Sequence, residues 1–168
     1  EALIKTQATL TTSKEGLEDE KLNLTHIINA LNTKIGNLNN DKAEQEATQA
    51  QITKELKLSK ELNEQLKTTQ NEEEKKRLQD KLDEVSSDLS DHKVLLKEQK
   101  QKTQRDQDSV DYYTLQKEQQ EKGISSTETT ISQSEKKIEE QKKQAQQDEE
   151  EIDIEEKQIK DYSEQIKA

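Results

Sequence analysis

Stepping by seven from Leu82, the chain reads Leu82, Leu89, Leu96, Thr103, Val110, Lys117, Ile124, Ile131, Ile138, Ala145, Ile152, Ile159 and Ile166. Ten of these thirteen are Leu, Ile or Val, although the three types supply only 32 of 168 residues. The first half repeats the pattern with Leu3, Leu10, Leu17, Leu24, Leu31 and Leu38, then Gln45, Ile52, Ser59 and Leu66. A seven-residue row drifts around a straight α-helix and keeps facing a partner only when the helices supercoil. The spacing therefore predicts an all-α, elongated coiled coil whose interface residues are the aliphatic members of the two rows.

Composition alone would point to disorder. Only 26% of residues are hydrophobic, 39% are charged, and the net charge is −11, too little apolar surface to offset chain entropy in a compact core. The residues that fill the chain argue the other way. Proline is absent, glycine occurs only at 16, 36 and 123, and Glu, Lys, Gln and Leu lose little rotamer freedom in a helix. With no cysteine, disulfides are excluded. No apolar run is longer than three residues, so neither a membrane span nor a signal-peptide core is expected. A first residue of Glu rather than Met is read as a processed product or an excised segment.

A coiled-coil seam needs a second row, and here it is mostly polar. In the first half it is read as Gln7, Lys14, Lys21, Ile28, Ile35, Lys42, Gln49 and Leu56. In the second half it begins with Leu78 and Val85 and continues through His92, Gln99, Asp106, Tyr113, Gln120, Thr127, Ser134 and Gln141. One aliphatic per heptad, each contributing about 1.5–3 kcal/mol at full burial, leaves a thin margin for an isolated pair. Lateral association of several helices is the expected remedy, and polar seam residues would penalise wrong registers.

The two rows are out of phase, sixteen residues separating Leu66 from Leu82. Between them "KTTQNEEEKKR" has no aliphatic member, and Asn71 with Glu74 matches a helix N-cap followed by an acid. We expect a first long helix over 1–66, a turn and the start of the next helix over 67–77, and a second long helix over 78–168. The result is an antiparallel hairpin turning at 67–72 and assembling into a multi-helix bundle or lattice. A continuous rod with stutters is the alternative, supported by the four-residue steps Leu58, Leu62 and Leu66. Gly123, followed by Ser125 and Glu128, marks a second candidate break, although the row passes through it in phase. Arms of about 66 and about 95 residues would leave an overhanging stripe for another subunit to cover.

Chemistry-bearing motifs are scarce. The acidic run at 148–156 offers Asp148, Glu149, Glu150, Glu151, Asp153, Glu155 and Glu156 as low-affinity calcium candidates. It lacks the turn glycine and alternating ligands of an EF-hand, and no other cofactor is implied. The plainer reading is a solvated helix face laced with pairs such as Asp153–Lys157, Glu156–Lys160 and Glu139–Lys143. His26 and His92 have no companion at metal-ligand spacing; His92, Tyr113 and Tyr162 fall on the seam, where packing is expected. No nucleophile elbow or phosphate loop occurs, so no enzyme is expected. An acidic chain with only Arg77 and Arg105 as arginines makes nucleic acid an unsuitable partner.

The stretch "KTQRDQDSVDYYTLQKEQQEKGISSTETTI", 102–131, leads from a polar helix with an arginine and a tyrosine pair into heptad isoleucines. With the acidic, Met-less, heptad-built chain around it, it resembles the mature matrix proteins of ciliate secretory granules, the trichocyst and mucocyst lattice proteins. The likeness covers the whole chain in style and carries no short diagnostic motif, so no functional residue is transferred. It implies a processed protein of the granule lumen, packed in a crystalline core that expands when calcium arrives. Without it, a cytoplasmic location is expected. The partners expected are copies of itself or related coiled-coil chains, forming an oligomer or polymer. A coiled-coil tether or scaffold segment of a larger protein is the alternative.

Overall fold

A computed structural model describes residues 1–167; residue 168, the end of the expected second helix, lies outside them. The chain forms two helices, α1 (Ala2–Thr68) and α2 (Glu72–Lys167), joined by Thr69, Gln70 and Asn71. The fold is an all-α helical hairpin, not a continuous helix with stutters.

The turn is built from local polar groups. At the end of α1 the Thr69 N–H and hydroxyl both donate to the Gln65 carbonyl, at 3.0 and 2.7 Å. Asn71 caps α2: its Oδ1 accepts from the backbone N–H of Glu73 at 2.9 Å and of Glu74 at 3.3 Å. Two of the orphan donors at the helix start are thereby satisfied. The Glu74 carboxylate pairs with the guanidinium of Arg77 one turn on. Three acids, Glu72, Glu73 and Glu74, occupy the first turn of α2, where the helix dipole favours negative charge. Gly123 does not break α2; the residue is helical, since one glycine costs only about 1 kcal/mol in a helix whose aliphatic row runs on in phase.

Contacts divide the chain into two units, one of Ile27–Gln116, the other of Glu1–His26 with Lys117–Ala168. In the first, Glu55 meets His92 and Asp41 meets Lys102, so the two helices run antiparallel away from the turn. Leu31, Leu38, Ile52, Leu62 and Leu78 are its buried aliphatics. In the second unit, Glu20 meets Gln120 and Thr127, and Lys14 faces Glu135, again antiparallel. Its buried aliphatics are Ile124, Ile131 and Ile138.

In α1 the row from Leu3 to Leu66 is buried or half-buried throughout. The second row is not the one expected. Gln7, Lys14, Lys21, Ile35, Lys42, Gln49 and Leu56 are exposed, and only Ile28 is half-buried. The covered row lies one residue earlier: Thr6, Ser13, Glu20, Ile27, Lys34, Asp41, Thr48, Glu55 and Leu62. It stands three residues beyond each member of the aliphatic row, the shorter of the two seam spacings. In α2 both rows lie where the spacing puts them only as far as Gln141; beyond it Ala145, Ile152, Ile159 and Ile166, expected on the seam, are exposed because no part of α1 reaches them. Leu82, Leu89, Leu96 and Val110, like Leu78 to Gln141 at steps of seven, are buried or half-buried. This pattern fits a coiled coil.

Candidate functional site

The most chemically loaded part of the Ile27–Gln116 unit is its polar row. Asp41 is only 3% exposed, and its Oδ1 lies 3.3 Å from the Lys102 ammonium. Asp106 faces it from α2, with Asn37, Asn40 and Glu44 around the same open groove. Two carboxyls facing one groove do not ionise independently of each other. The hydrogen bond from Asp106, with help from Lys102, holds Asp41 below the usual carboxylate range. The same bond, reinforced by burial, pushes Asp106 above it. Asp41 in turn raises Lys102. One heptad pair nearer the turn, buried Glu55 meets the His92 imidazole through Oε1 and Nδ1.

In the other unit the polar row of α2 meets Glu20 of α1 through uncharged donors. Thr127 Oγ1 donates to Glu20 Oε1 at 2.9 Å, and Gln120 Nε2 donates to the Glu20 carbonyl at 3.1 Å. Buried side-chain oxygens without a partner are Glu20 Oε2, Asp41 Oδ2, Glu55 Oε2, Gln99 Oε1 and Gln141 Oε1. All five sit on the covered polar rows. Such groups are costly in a dry interface, so the polar row weakens the seam while fixing which residues meet across it.

The apolar surface is the second notable feature. Among the described residues, eight hydrophobic side chains are buried and fourteen large ones are exposed. Ile35, Leu56, Leu58, Val94, Leu95 and Leu115 lie off the seam in the Ile27–Gln116 unit. In the other unit the exposed set includes the end of the aliphatic row itself. Ile152 is 52% exposed, Ile159 68% and Ile166 86%. Tyr162, expected to pack on the seam, is 64% exposed. No described segment lies against α2 there: beyond Gln141 every described residue is exposed.

The acidic run bears only solvated carboxylates. Asp148, Glu149, Glu150, Glu151, Asp153, Glu155 and Glu156 are all exposed, and no group of three or more His, Asp or Glu side chains is placed to cage a metal among the described residues. The expected pairs Asp153–Lys157, Glu156–Lys160 and Glu139–Lys143 do not close; the ion pairs formed within a helix are Glu72–Lys75, Glu74–Arg77 and Lys117–Glu121. Exposed long side chains gain too little from pairing to give up their freedom. His26 is exposed. No described helix is long and apolar enough to cross a membrane.

Comparison with protein-family models, with curated proteins and with solved structures gives no match. The fold and its exposed surface therefore define the class: an acidic all-α helical hairpin.

Proposed function

We propose that this protein is a non-enzymatic structural coiled coil that assembles laterally, with copies of itself or related chains, into a filament or lattice. One observation carries the reading. Among the described residues, a chain with few apolar side chains leaves fourteen of the large ones exposed. Single exposed aliphatics are ordinary, but here they accumulate beside a seam and along its continuation, the arrangement that further helices cover in multi-helix bundles. Calcium enters this reading as a screening ion that relieves repulsion between acidic helices.

Sedimentation velocity over a rising concentration series tests it. The expected result is a mass that grows beyond the 19.4 kDa of one chain. A folded, monodisperse 19.4 kDa species at every concentration overturns the proposal.

A further inference from the structure

The aliphatic row of α2 is buried at Ile124, Ile131 and Ile138 and keeps the same seven-residue step through exposed Ala145, Ile152, Ile159 and Ile166. The surface that leaves the seam is thus continuous with it and has the same phase. We propose that residues 145–166 pair with the same segment of a second copy, antiparallel about a two-fold axis at Ile159. The proposal rests on the assembly reading above and names the surface it uses.

The rule for the pairing comes from the hairpin. There the helices are antiparallel and polar row meets polar row, as Glu55–His92 and Glu20–Thr127 show. Applied to two copies of this segment, the rule sets Ile159 against its own symmetry mate and Ile152 against Ile166. The accompanying row then brings Glu155 opposite Tyr162, twice, so that a phenol hydroxyl can donate to each carboxylate. Glu151 falls beside Gln165, and Glu156 beside Ser163.

The opposite orientation is unfavourable. A parallel pair would stack Asp148 on Asp148, Glu155 on Glu155, and set Glu151 against Glu156. Residues 148–167 hold nine carboxylates and three lysines, so like-charge contacts decide orientation. An isologous contact of this kind is self-complementary and closes on itself.

The chain has no cysteine, so single cysteines report the register in the full-length protein. Ile152→Cys, Ile159→Cys and Ile166→Cys all change exposed side chains, which leaves the hairpin intact. Under mild oxidation, Ile159→Cys is expected to form a covalent dimer alone. Ile152→Cys and Ile166→Cys are expected to stay unlinked separately and to link when mixed. Ile159→Lys places two ammonium groups at the axis and should raise the dimer's dissociation constant at least about tenfold. Self-linking by all three cysteine variants means a parallel pair and overturns the proposal. No linking overturns it too, and sedimentation of the unmodified chain then separates the two readings. A mass above 19.4 kDa leaves lateral assembly standing through another surface, whereas a monomer removes both.

Discussion

Asp41 and Asp106 line the same groove of the seam, and their opposed shifts make stability depend on pH in two opposed ways. Asp41, held low by Asp106, contributes stability that is present above its ordinary range and lost as pH falls through the lowered value. Asp106, held high by Asp41, contributes stability that is complete below the ordinary range and lost as pH rises through the raised value. Both are present only between the two, a window that brackets the ordinary carboxylate range. Lys102, raised by Asp41, keeps its share until strongly alkaline pH. Asp106→Asn replaces the titrating carboxyl with a permanent donor. We expect a higher thermal unfolding midpoint than wild type at neutral pH and no decline as pH rises above the ordinary carboxylate range; an unchanged decline would assign it to other groups. At the turn, Asn71→Ala removes the acceptor for two backbone donors and should lower the unfolding free energy by about 1 kcal/mol in urea titration. This cap could be read from sequence because capping is local. The Asp41–Asp106 contact could not, because it depends on register between distant segments.

At the scale of the helix, the covered face of α1 divides positions that look alike on paper. Leu62 is 5% exposed and Leu56 is 47% exposed. Leu62→Ala should destabilise the hairpin by about 2–5 kcal/mol, and Leu56→Ala by no more than about 0.5 kcal/mol, as measured by chemical denaturation of dilute monomer. Glycines offer the converse change. A Cβ added at Gly16, Gly36 or Gly123 meets nothing within 4 Å, and none has a positive φ. Each Gly→Ala change is therefore expected to add up to about 1 kcal/mol, seen as a raised thermal midpoint. The aliphatic rows as far as Ile138 followed from spacing, and the hairpin from the phase break, the aliphatic-free gap and the Asn71 cap signal together. The flanking row of α1 did not. The covered row contains only Ile27 and Leu62 as aliphatics, while the exposed one contains Ile28, Ile35 and Leu56. Counting aliphatics therefore favoured the wrong side. In α2, Leu78 and Val85 open the correct row and mark it before it turns polar.

At the scale of the whole molecule, charge opposes association. A net charge of −11 repels like chains over about 10 Å at 0.1 M salt and farther in more dilute salt. Assembly should strengthen as salt rises, and calcium at about millimolar concentration should act more strongly than sodium at equal ionic strength. Sedimentation profiles identical with and without calcium would remove the ion from the account. The Asn71-capped turn of three residues has its own consequence for how the chain reaches this state. Within Ile27–Gln116, contacts beside the turn close short loops, whereas Asp41–Lys102 must close a much longer one at greater entropic expense. Folding of this unit should nucleate at the capped bend and zip outward. Asn71→Ala would then slow refolding, while a substitution at Leu31 would chiefly hasten unfolding.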